Sequence, residues 1–290
     1  MIDVSQKSLH WGYPAVFVFL WSTGFVGAKL GLPYAEPATF LTIRFAVVLA
    51  LLIPLCWVFR ARWPSPKGIF DMAVAGVLIQ AGYLGGVFAS LHHGMPAGVS
   101  ALITGLQPIF TALLSGWLLH ERVTRVQWLG LVLGLVGVLL VVGERVVAAQ
   151  VGVAAILLSV LALASITLGT VWQKRHGGGV DLRTGAAIQF MAALAVIAPF
   201  ALALETREVQ WNAELVFAIG WLAVALSLGA IFLLLYLIRH GGATRVASLF
   251  YLVPPTTALM AWPLFGETYG LAAAAGMGLA MLAVWLVTKQ

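Results

Sequence analysis

Apolar residues run through this chain in blocks of about twenty, separated by short polar stretches at near-regular intervals. A bilayer core about 30 Å thick takes roughly 20 residues of helix per crossing, so each block is long enough to span it. The pattern places spans at about 11–31, 38–58, 69–91, 97–118, 126–143, 151–173, 184–204, 214–238, 244–265 and 270–288. Runs such as Val132–Val142 are apolar on every side, as helices sunk in lipid and protein are. The expected fold class is an all-α integral membrane protein with ten transmembrane helices.

Composition sharpens this picture. Hydrophobic residues make up 62% of the 290 positions and charged ones 9%, with a mean hydropathy of +1.02. No soluble domain has that balance, and the connectors leave no room for an extramembrane enzyme domain. With the N-terminus in the cytoplasm, the loops on that side receive Lys7, Arg60, Arg62, Lys67, Arg122, Arg125, Lys174, Arg175, Arg183, Arg239, Arg245 and Lys289. The other side receives Lys29, Arg145 and Arg207. This bias predicts both termini in the cytoplasm of a plasma membrane, the inner membrane of a bacterium. The net charge of +6 therefore reports topology, and nucleic acid is not an expected partner. The first span has an anchor's length with no small-residue cleavage site before it, so it is expected to stay uncleaved. Cys56 is the single cysteine, which excludes an internal disulfide.

The two halves resemble each other at an offset of 145 or 146. Ile43-Arg44-Phe45 and Pro54 fall on Ile188-Gln189-Phe190 and Pro199. Pro108, Thr111-Ala112-Leu113, Glu121 and Gly130 fall on Pro254, Thr257-Ala258-Leu259, Glu267 and Gly276. Paired prolines and a paired glutamate at one offset predict a duplication, with repeats at 1–146 and 147–290. Five helices per repeat is an odd number, so the second copy must be inverted in the membrane, the architecture expected of alternating access.

Leu20-Trp21-Ser22-Thr23-Gly24-Phe25, Ile43-Arg44-Phe45 and the twice-occurring proline followed thirteen residues later by glutamate resemble the EamA-type branch of the drug/metabolite transporter superfamily. Within it the chain looks like the YddG-type aromatic amino-acid exporters. The resemblance implies a central cavity lined by helices 1, 3, 4, 6, 8 and 9, with helices 5 and 10 as scaffold. It also implies export of small amphipathic metabolites, above all aromatic and other neutral amino acids. Other readings stay open at this point: export of drugs or other metabolites, or a nonselective channel.

Catalytic and phosphate-binding signatures are missing, and neither a cofactor nor a metal is expected. His92-His93 reads as an interfacial pair, with a metal site or a pH-sensitive gate as alternatives. Candidate substrate contacts are Trp21 and Thr23 on helix 1, Gln80 and Tyr83 on helix 3, and Ser100, Thr104 and Gln107 on helix 4, whose i, i+4, i+7 spacing puts all three on one stripe. Ser165 and Thr170 follow on helix 6, Tyr236 on helix 8, and Ser248 and Tyr251 on helix 9. Hydroxyls and amides suit an amino-acid backbone and aromatic faces an apolar side chain. Each has a plainer reading too, since hydroxyls bond their own helix's carbonyls and tyrosines near span ends anchor the interface.

Arg44 is the one charge well inside an apolar block. Facing lipid at mid-bilayer it would cost roughly 2.5–3.5 kcal/mol, but it lies about 9 Å from the span start and could snorkel. Its role divides between structure and coupling to substrate or gating. Pro108, Pro254 and Pro255 supply candidate hinges. Glu121 and Glu267 read as loop caps or as gating latches. Partners are a small-molecule substrate and the lipid bilayer; one copy is expected to suffice, and oligomerisation is left open.

Overall fold

The computed structural model describes residues 12–95, 100, 103–118, 123–146, 152–241, 243–253, 255–257, 259–260 and 270–288. Among these, helices follow one another without a sheet. They are α1 (Gly12–Gly31), α2 (Pro37–Val58), α3 (Pro66–His92), α4 (Gln107–Leu118) and α5 (Arg125–Val146), then α6 (Val153–His176), α7 (Leu182–Leu204) and α8 (Ala213–His240). Last come α9 (Ala243–Ser248, tightening to a 3₁₀ turn over Leu249–Leu252) and α10 (Leu271–Thr288).

The protein is all-α and multi-pass, but fewer helices than expected are long and apolar enough to cross a membrane. Among the described residues five are: α2, α3, α6, α7 and α8. Gly12–Ala28, Arg125–Gly137 and Ala274–Val287 are shorter apolar stretches. The expected spans 97–118 and 244–265 contain breaks at 105–106 and 249–252, where the chain turns more tightly than an α-helix. Pro108, Pro254, Glu121 and Glu267 bear on those segments; of these, Pro254, Glu121 and Glu267 lie outside the described residues.

Local chemistry starts the long helices. Pro66 opens α3 behind Ser65, whose hydroxyl accepts from Gly68 N–H at 3.3 Å. Asp181 accepts from Arg183 N–H at 2.9 Å to begin α7, and Asn212 from Leu215 N–H at 2.8 Å to begin α8. The start of α2 is capped from afar. Ala38 and Thr39 N–H donate to Glu205 at 2.7 and 2.6 Å, and the Thr39 hydroxyl donates to it at 2.7 Å. In return, Thr206 N–H and hydroxyl and Arg207 N–H donate to Glu36 at 2.6, 2.7 and 3.3 Å. The Thr206 hydroxyl thereby holds the Glu36 carboxyl below its ordinary value. Gln210 N–H donates to Tyr34 C=O at 3.0 Å beside the isolated bridge between Ala35 and Val209. These contacts fasten the α1–α2 loop to the α7–α8 loop.

Two helices carry a widened π-helical stretch, Val77–Gly82 in α3 and Leu222–Ala230 in α8. Such stretches rotate the following side chains and frequently mark functional sites. In the interior α2 crosses α7, with the rings of Phe45 and Phe190 5.6 Å apart. Helices α5 and α10 meet through glycine: a Cβ on Gly137 would stand 2.7 Å from Gly276 C=O, closer than any side chain permits.

Candidate functional site

The site forms where α1, α2, α3 and α8 converge. A cavity of about 30 Å³ is lined by Trp21, Gly24, Arg44, Tyr83, Phe88 and Leu226, among others. Its aromatic wall is built in layers. Trp21 stacks on Tyr83 with ring centres 6.1 Å apart and planes 18° from parallel. Phe250 meets the other side of Trp21 edge-on at 5.1 Å, and Phe17 packs against both Trp21 and Phe250. Gly24 keeps the wall thin, because a Cβ there would come 3.1 Å from a Leu226 methyl. Small-molecule pockets usually measure about 300–1,000 Å³, so this cavity is smaller than a typical binding site.

Arg44 supplies the polar side. It is fully buried, so packing against neighbouring helices outweighs its short distance from the helix start and it does not snorkel. Its Nε–H donates to Ser227 Oγ at 3.1 Å, and Nη1 and Nη2 have no hydrogen-bond partner among the described residues. Ser227 is set for this by the widened turn of α8, its hydroxyl donating to Leu222 C=O five residues back at 3.0 Å.

Trp21, Tyr83 and Arg44 are thus brought together. Gln80, one turn before Tyr83, is fully buried, with no hydrogen-bond partner for either amide atom among the described residues. Other predicted contacts settle elsewhere. Thr23 donates to Leu20 C=O at 2.6 Å and accepts from Trp221 Nε1–H at 2.9 Å. Gln107 Nε2–H donates to Thr170 Oγ1 at 3.3 Å, and Thr170 donates to Ile166 C=O at 2.8 Å. Ser165 is buried against Gly82, where a Cβ would come 2.5 Å from its Oγ. Thr104 donates to Ser100 C=O at 2.9 Å, and Ser100 Oγ is buried with no partner among the described residues. The turn at 105–106 divides these two from Gln107, so they do not form one helical stripe.

Ser248 bonds Arg245 C=O at 2.8 Å. Tyr251 turns towards α5, its hydroxyl donating to Leu131 C=O at 2.9 Å. Tyr236 lies in a ring cluster with Tyr13 and His240 near the end of α8. Pro108 and Pro255 are both buried, Pro108 in the first turn of α4 rather than within it. His92 and His93 are exposed, and no group of three metal-ligating side chains occurs among the described residues. Sequence reasoning missed Phe250 and Ser227. Ser227 had a signal: it is the lone hydroxyl between Glu214 and Tyr236 in α8.

Apolar helices around a small, aromatic, sparsely polar cavity make up an all-α multi-pass membrane protein. The chain belongs to the EamA-like transporter family, whose profile matches it twice, over residues 11–143 and 153–289. It is 26% identical over 275 residues to the uncharacterized inner membrane transporter YedA of Escherichia coli, covering 94% of this chain and 88% of that one. A probable amino-acid metabolite efflux pump of Salmonella typhimurium is 28% identical over 159 residues, 54% of this chain and 51% of the relative. One solved crystal structure shares the fold, with a TM-score of 0.80 at 19% identity over 96% of this chain and 95% of the other.

Proposed function

We propose that this protein is a secondary transporter that exports small amphipathic metabolites, above all aromatic and other neutral amino acids, by alternating access through its central cavity. The observation that carries this is the cavity itself: Trp21 and Tyr83 stacked beside one buried cation, in a space too small to be a pore. The probable amino-acid metabolite efflux pump among its relatives supports the substrate class.

Ten spans in two inverted five-helix repeats, 1–146 and 147–290, complete the proposal. Three observations support the repeat. The family profile matches each half separately. Phe45 and Phe190, 145 positions apart, face each other. The widened stretches begin at Val77 and Leu222, again 145 apart. The basic residues of the loops support cytoplasmic termini in a bacterial inner membrane, which makes the fastened loops at 32–36 and 205–212 external. Substrate then contacts Trp21, Tyr83 and Gln80 first. Pro108, Pro254 and Pro255 act as hinges, and Glu121 and Glu267 as cytoplasmic-side and external-side caps that the hinges move.

Counterflow in proteoliposomes tests this. Vesicles preloaded with one unlabelled amino acid and challenged with the same labelled compound should show a saturable, transient accumulation. Equilibration without accumulation would make the protein a channel, and inertness towards every amino acid would move the substrate to drugs or other metabolites.

A further inference from the structure

We propose that Arg44 is the anchor for a carboxylate on the transported molecule, gripped in the cavity beside Trp21 and Tyr83. This deepens the reading of an amphipathic-metabolite exporter and rests on it.

The first observation is the cavity, of which Arg44 forms part of the wall. The second is independent: Arg44 is fully buried, and Nη1 and Nη2 are enclosed without a partner. A guanidinium carries five N–H donors, and Ser227 takes one of them. Among the described residues no carboxylate pairs with it; Arg183 and Asp181 form an ion pair elsewhere, at the start of α7. A charge held in a membrane interior without a counter-ion is costly, and the groups that persist there mark substrate or ion pathways.

The geometry selects the ligand. Two parallel N–H groups at the end of a planar guanidinium match the two oxygens of a carboxylate. The space of about 30 Å³ is small, so a carboxylate reaches Arg44 when the walls part. Flat aromatic faces next to it suit the apolar remainder once the walls part, and a substrate ammonium can lie over the same faces. Ser227 fixes the orientation by holding Nε, which leaves the donors of the two terminal nitrogens for the ligand. Arg44 is therefore a binding residue and Ser227 a positioning residue.

The test uses purified full-length protein and two probes of equal shape, 3-phenylpropionate and 3-phenylpropanamide, which differ in charge. Thermal unfolding should show the acid stabilising at a concentration at least tenfold below that needed by the amide. Arg44→Gln should bring the two probes to equal potency, and Arg44→Lys should keep part of the preference. Because Gln removes an uncompensated charge, Arg44→Gln should unfold without ligand no earlier than wild type. Equal potency of acid and amide on the wild type, or no shift with either up to millimolar concentration, would overturn the proposal. So would an Arg44→Gln protein that is destabilised yet retains the acid preference, since that is the mark of a structural arginine. Counterflow reads the transport function separately. Acid binding without amino-acid counterflow keeps the anchor and sinks the amino-acid substrate, whereas counterflow without acid preference does the reverse.

Discussion

Arg44 on α2 and Gln189 on α7 hold matching positions 145 residues apart, next to the phenylalanines at which their helices cross. Both side chains are fully buried, yet their surroundings are opposite. Around Arg44 the wall is soft: Leu226 and the rings of Trp21 and Tyr83 border open space. Around Gln189 there is backbone. A Cβ on Gly76 would stand 2.4 Å from Gln189 Cα, and Gln189 Nε2–H already donates to Gln173 Oε1 at 3.0 Å. Matching positions thus border a cavity in one half and a tight seam in the other. Under the proposed alternating access, the two matching positions would play unlike roles in this conformation.

The largest effect should come from forcing the seam to resemble the site. Gln189→Arg puts an unpaired charge where no space exists and should cost ~3–5 kcal/mol, enough to remove most folded protein. Fluorescence-detected size-exclusion chromatography would show the loss, and a monodisperse peak of normal height would refute the contrast.

Next comes Gly76→Ala. Its methyl meets backbone that cannot yield, for an overpacking cost of about 1–3 kcal/mol and a lower melting temperature. Gly24→Ala meets only a movable leucine methyl, so abundance should stay near wild type while counterflow slows through the narrowed cavity. If both variants behaved alike, the distinction between soft and rigid walls would fall.

Ser227→Ala is milder. It removes one hydrogen bond to Arg44 and should weaken binding of a carboxylate probe by ~1–2 kcal/mol, about 5–30-fold, with stability little changed.

The smallest effect is a pH dependence at the fastened loops, far from both positions. The Glu36 carboxyl is held below its ordinary value by Thr206, so its contribution is complete above the ordinary carboxylate value and disappears as pH falls through the lowered one. The melting temperature should be flat from about pH 7 to 5 in this respect, then fall below about pH 4 more steeply in wild type than in Glu36→Gln. Parallel curves would show that the latch does not depend on the ionised carboxyl.

Long helices were legible because apolar length is a direct consequence of bilayer thickness. The expected 38–58 is Pro37–Val58, 184–204 is Leu182–Leu204, and 214–238 lies within Ala213–His240. Trp21 and Tyr83 were legible as aromatic residues on helices expected to face a cavity. The rest depended on departures from regular helix. The 3₁₀ turn over Leu249–Leu252 directs Tyr251 to α5 and gives Phe250 to the aromatic wall. The turn at 105–106 divides the polar stripe expected on helix 4. Ser227 reaches Arg44 through a widened stretch of α8 that an apolar sequence does not announce. Arg44 itself was ambiguous because distance from a helix end says where a side chain could go, whereas neighbouring helices decide where it stays.

The exchange of caps between the loops has a kinetic consequence. Glu36 accepts from Thr206 and Arg207 in the α7–α8 loop while Glu205 accepts from Ala38 and Thr39 at the start of α2, so moving the two connections apart strips six hydrogen bonds. No partial opening can spare one set while sacrificing the other. In the proposed carrier those two connections would therefore act as a catch that is either engaged or released.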